Sequence, residues 1–132
     1  MTISLDLIGI AVADMGTSLA FYRALGLDIP AGAESEDHVE ITLPNGLRLA
    51  WDSIAMLRTI DPTWTDPQGS GRINLAFRCD SPADVDRVHA ELVAAGYESH
   101  MEPWDAFWGQ RYAVIHDPDA NGIDLFAALA QP

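Results

Sequence analysis

The chain has 132 residues, 48% of them hydrophobic, and its 20 acidic and 7 basic side chains give a formal net charge of −13. That length suits one domain or two small modules sharing a core, and the acidity repels nucleic acid and anionic membrane while attracting cations. The lone Cys79 excludes an intramolecular disulfide, and no apolar run is long enough to span a bilayer.

The N-terminal stretch "MTISLDLIGIAVADM" has no basic start and no small-residue cleavage site, so no signal peptide and a reducing cytoplasm are expected. Within it, "ISLDLIGIAV" (3–12) is a β-branched apolar run and predicts a strand. Asp14 can cap the helix that follows, with Leu19, Tyr22 and Leu25 on one face and Gly26 ending it. The polar loop "PAGAESED" (30–37) leads to "VEITL" and "LRLAW", a hairpin around Asn45-Gly46. A short helix around Ile54–Thr59 opens a linker, 53–71, that carries Trp64.

The second half repeats the order. "RINLAFRC" (72–79) is a strand, and Cys79 within it reads as a small buried hydrophobe. Ser81 caps a helix with Pro82 at its first position; Val85, Val88, Leu92 and Ala95 form the buried stripe, and Gly96 ends it. "RYAVIH" and "IDLFA" pair around 117–122, where "DPDANG" lacks the spaced ligands of a calcium loop and reads as a turn. The two Asn-Gly pairs align at an offset of 76 positions (45 to 121) and the helix-ending glycines at 70 (26 to 96). The expected fold is therefore α+β, β-α-β-β-β twice: module one 1–52, linker 53–71, module two 72–132.

Paired modules of this kind, with "FYRALGL" closing the first helix and "DPDANGIDLF" closing the second half, resemble the vicinal oxygen chelate superfamily of glyoxalases, bleomycin-resistance proteins and extradiol dioxygenases. The resemblance implies that each module curls its mixed sheet into half a cup and that one metal ligand stands on the first and last strand of each. In those slots this chain places Leu7, Arg48, Asn74 and Asp124, of which only Asp124 is a convincing ligand. No metal and no cofactor are expected. The tryptophan-rich "PWDAFWGQRYAVIHDPDANGIDLFA" is most similar to the metal-free, mitomycin-binding branch, which implies a homodimer, module-exchanged or side by side, with the ligand in an aromatic groove at the interface.

Strand alternation gives the residues of the cup face. In module two these are Trp108, Gln110, Tyr112, Val114, Gly122, Asp124 and Phe126; in module one the offset of 76 gives His38, Glu40, Arg48, Ala50 and Asp52. Trp104 and Phe107 crowd the junction before Trp108, Trp51 has the opposite parity and reads as core, and Trp64 could roof a pocket or pack locally. His89 and His100 read as solvated surface, His116 as rim, and Arg48 needs a carboxylate, Asp124 or Glu40.

The candidate ligand-binding residues are thus His38, Glu40, Arg48, Asp52, Trp104, Phe107, Trp108, Gln110, Tyr112 and Asp124. The leading expectation is non-catalytic sequestration of a planar small molecule such as an antibiotic. The alternative is a metal-independent enzyme with His38 or Glu40 as base. Fluorescence titration with turnover assays separates them.

Overall fold

A computed structural model describes residues 2–130. The chain forms two compact units, one running to Asp66 and the other beginning at Pro67. In the first unit, β1 (Leu7–Val12), α1 (Met15–Ala24), β2 (His38–Thr42), β3 (Arg48–Ser53) and α2 (Ile54–Ile60) follow in order. Its three strands pair as β1-β3-β2, parallel between β1 and β3 and antiparallel between β2 and β3. The second unit holds β4 (Asn74–Arg78), α3 (Pro82–Ala94), β5 (Ser99–Ala106), β6 (Gln110–His116) and β7 (Gly122–Ala128). These strands pair as β4-β7-β6-β5, with β4 and β7 parallel.

The β-α-β-β-β order therefore appears once, in the second unit. The first unit lacks the strand between its helix and its hairpin and has a 3-10 turn there, Ala33–Ser35. The residues explain this: Pro30 and Gly32, the latter at φ 84°, interrupt any alternation, and the acidic segment after them has nothing apolar to bury. Arg23 fixes the loop instead, donating to the Ile29 and Pro30 carbonyls and pairing with Glu34. The first strand is also shorter than expected. Residues 3–6 are not strand, and Ile3 and Leu5 are exposed.

Both long helices start and stop on the residues their sequences offer. The Asp14 carboxylate accepts from the Thr17 amide at 2.8 Å, and the Ser81 hydroxyl accepts from the Asp84 amide at 3.2 Å. Gly26 and Gly96 follow the helices at φ 106° and 101°, where a side chain would be strained. Leu19, Phe21 and Tyr22 of α1 are fully buried with Trp51, whose ring centroid lies 5.3 Å from that of Tyr22. In the second unit Val85 and Leu92 of α3 are buried along with Ile115, Ile123 and Leu125 of the sheet. His89 joins them rather than facing solvent, its ring bonded to the Ser99 hydroxyl at 2.7 Å. Ala95, expected in that stripe, is exposed.

The hairpins correct the repeat offset. In the first, Leu43 and Leu47 close a loop with Gly46 at φ 90°; in the second, Asp117 and Asn121 close the same loop with Ala120 at φ 65°. Gly46 thus matches Ala120, an offset of 74, and Gly122 already lies in β7. Asp117 accepts from the Asp119 and Asn121 amides and from the Asn121 side chain, which fixes a turn that lacks glycine at its left-handed position. Because 74 and 76 are both even, the faces assigned by parity are unchanged.

Candidate functional site

In each unit one sheet face is covered by its long helix, and the other carries the polar and aromatic side chains. On the open face of the first unit, direct cross-strand partners are His38 with Asp52, Glu40 with Ala50, and Thr42 with Arg48. His38 Nδ1 lies 2.5 Å from Asp52 and its Nε2 lies 3.0 Å from Glu40. Arg48 then donates to Glu40 at 3.0 Å and to Asp6 at 2.7 Å. The predicted residues His38, Glu40, Arg48 and Asp52 form one hydrogen-bonded chain in which carboxylates alternate with His38 and Arg48, and Asp6, which precedes β1, completes it. Asp52 and then Glu40 push the His38 imidazole above its ordinary value. His38 and then Arg48 hold Glu40 below its own.

The open face of the second unit is aromatic. Trp104, Tyr112 and Phe126 stand side by side across β5, β6 and β7. Phe107 and Trp108 lie in the turn between β5 and β6 rather than on a strand, because Gly109 at φ 90° closes a turn there. The turn folds Trp108 back over the row, 5.2 Å from Tyr112 and 6.0 Å from Trp104 between centroids, with interplanar angles of 79° and 89°. Trp108 donates its indole N–H to Gln110 at 2.8 Å, which fixes the ring's orientation. It remains 47% exposed and Phe107 97% exposed, an unusual display for rings of that size.

Beneath this cluster lies Asp124, 7% exposed. Its carboxylate accepts from the Tyr112 hydroxyl at 2.5 Å and from the Asn74 amide at 3.4 Å. Burial first, and the bond to Asp124 second, push the Tyr112 phenol up to about 12, so it stays protonated and donating near neutral pH. Asn74 needs Gly122 opposite it: a Cβ at that position would stand 2.5 Å from Asn74 Oδ1 and 2.9 Å from its Cγ. All six predicted residues of this unit, Trp104, Phe107, Trp108, Gln110, Tyr112 and Asp124, come together. Asn74 and Phe126 belong with them.

Arg48 takes Glu40 and Asp6, while Asp124 takes the neutral donors Tyr112 and Asn74, so each finds its hydrogen-bond partners within its own unit. Among the remaining polar candidates, His116 stacks on exposed His100 at 4.7 Å and pairs with Glu98, and Trp64 lies under Arg58. Burial raises the Cys79 thiol, which disfavours the nucleophilic thiolate.

The four slots that hold a metal in chelating relatives can now be read from register. Ala76 pairs with Asp124 in the second unit and Gly9 with Ala50 in the first, so the counterpart of Asp124 is Ala50 rather than Arg48. Leu7 and Ala50 have no donor atom, Asn74 is a weak one, and Asp124 is engaged by a phenol. Neither pair, Leu7 with Ala50 in the first unit nor Asn74 with Asp124 in the second, supplies the donors a divalent cation needs. Among the described residues no group of three or more His, Cys, Asp or Glu side chains is placed to hold one.

Two small mixed sheets, each with a helix on one face and a functional face opposite, define a glyoxalase-type α+β fold. Residues 4–125 match the model of the Glyoxalase/Bleomycin resistance protein/Dioxygenase superfamily, and the chain belongs to that family. It is similar to a family member of known structure from Burkholderia phytofirmans PsJN (19% identity, TM-score 0.82, covering 96% of this chain and 100% of that one). A glyoxalase/bleomycin resistance protein/dioxygenase from Nocardioides shares 21% identity at a TM-score of 0.76, covering 100% and 87%. Protein ATC0852 from Agrobacterium tumefaciens shares 25% at 0.73, covering 98% and 100%. No curated protein matches the chain. No helix among the described residues is long and apolar enough to cross a membrane.

Proposed function

We propose that the protein binds and sequesters a planar small molecule, an antibiotic or related metabolite, without turning it over. The observation that carries this reading is the exposed Trp108, held by Gln110 against Trp104 and Tyr112 on the face away from α3. Rings fixed before binding lose little freedom when a flat ligand stacks on them. In this reading the protein is a cytoplasmic homodimer, since each small sheet leaves unpaired strand edges that a second copy would cover.

A base role for His38 or Glu40 has less support. Both His38 nitrogens already face carboxylates, and the shifts favour imidazolium and carboxylate, the forms least able to take a proton. The test is a tryptophan fluorescence titration against planar antibiotics, with product analysis of each mixture. Saturable quenching with unchanged ligand supports sequestration; steady conversion of the ligand contradicts it.

A further inference from the structure

We infer that the ligand of the aromatic face is an organic cation, with an ammonium or N-alkylated aromatic nitrogen held against Trp108 and Tyr112 and Asp124 as its counter-charge. This rests on the proposed binding function and names the chemistry of the ligand.

Three observations converge. Asp124 is buried, and its partners are neutral donors, Tyr112 and Asn74. Two cations of its own unit are committed elsewhere, Arg87 to Asp84 and Glu91, and Arg111 to Asp86 and Asp105. Arg72 and Arg78, both exposed, form no ion pair with Asp124, whose partners are Tyr112 and Asn74. A buried carboxylate without a cation is costly, and binding one relieves that cost.

The rings supply the second argument. Among the described residues the one cation placed over a ring is Arg58, over Trp64 in the first unit. The electron-rich faces of Trp104, Trp108 and Tyr112 therefore hold no side-chain cation, and a cation within about 6 Å of such a centroid is attracted to it. Tyr112 gives its hydroxyl hydrogen to Asp124, which increases the electron density of its ring. The third argument is access: Ala76, the direct neighbour of Asp124 on β4, is a small and exposed residue. The formal net charge of −13 adds a field that concentrates cations near the face.

The experiment compares two isosteric probes by fluorescence titration of the full chain: N-methylquinolinium, which is charged, and 1-methylnaphthalene, which is not. The expected result is at least tenfold tighter binding of the cation. Asp124→Asn, which can still accept from Tyr112, should bring the two within about twofold, while Asp28→Asn, remote in sequence and exposed, should leave the preference intact. Equal binding, or a preference that survives Asp124→Asn in protein whose circular dichroism is unchanged, overturns the cation inference but leaves aromatic binding standing. If neither probe binds at millimolar concentration, both readings fall. Should Asp124→Asn fold poorly, Tyr112→Phe keeps the ring and frees the carboxylate. It should retain the cation preference, and its loss there would also overturn the inference.

Discussion

Replacing Gly122 by alanine tests how the site is framed. Gly122 sits in regular strand, so alanine is conformationally acceptable there and the perturbation is purely steric. Its Cβ would meet Asn74 Oδ1 at 2.5 Å and Cγ at 2.9 Å. Because Cγ lies close to the backbone, Asn74 must swing away, and its 3.4 Å bond to Asp124 is lost. Overpacking of this kind costs about 1–3 kcal/mol. Reduced freedom of the unfolded chain returns about 0.4–1 kcal/mol. The net expectation is a loss of about 1–2 kcal/mol, or roughly 3–10 °C in melting temperature for a chain of this size. Thermal melts of wild type, Gly122→Ala, Asn74→Ala and the double variant form a closed cycle. With Asn74 shortened to alanine the clash disappears, so Gly122→Ala should be neutral or mildly stabilising in that background. An equal loss in both backgrounds would refute the reasoning.

Ala120→Gly should stabilise the second hairpin by about 0.5–1 kcal/mol, read in the same melts, because Ala120 holds φ 65° where its counterpart Gly46 is unstrained. Trp51→Ala should cost roughly 3–5 kcal/mol. Trp51→Phe should cost clearly less, since the buried indole N–H has no hydrogen-bond partner and its removal deletes an orphan donor. The pH dependence follows from His38, whose folded pKa is raised by Asp52 and Glu40. Its stabilising contribution is complete below the unfolded value near 6.5 and is lost as pH rises through the raised one. Since its side chain is 46% exposed, that contribution is limited to about 0.2–1 kcal/mol per pair. His38→Gln should flatten the decline in melting temperature between neutral and mildly alkaline pH, and an unchanged slope would exclude His38 as its source.

Much of the site was legible because strand parity is robust. His38, Glu40, Arg48 and Asp52 share a face whether the repeat offset is 74 or 76, and Trp51 has the opposite parity at either value. What parity cannot supply is the identity of the matched turn residues. Asn45-Gly46 and Asn121-Gly122 look alike, yet Ala120 takes the left-handed position because Asp117 braces the turn. That is why the sequence alone aligns Arg48, and not Ala50, with Asp124.

Other gaps have local causes. Asp6 falls inside the predicted strand 3–12 at the parity opposite to Leu7, which takes it off the cup face; β1 instead starts at Leu7, and the parallel pairing of β1 with β3 brings Asp6 to Arg48. His89 reads as surface by residue type, yet its spacing from Val85 and Leu92 puts it on the buried stripe of α3, and the Ser99 hydroxyl that satisfies it is ten residues away. The missing strand of the first unit was concealed by the assumption of symmetry, although Pro30 and Gly32 marked the departure.

The most direct test of the account is the affinity of Trp108→Ala for a planar ligand that quenches the wild-type protein, measured by calorimetry alongside thermal melting. A stacked ring in a desolvated site is worth about 1–3 kcal/mol. The account therefore predicts binding weakened about 5- to 150-fold, with melting almost unchanged because the ring is half exposed. Wild-type affinity in Trp108→Ala, with the loss appearing as an early melt instead, would contradict it.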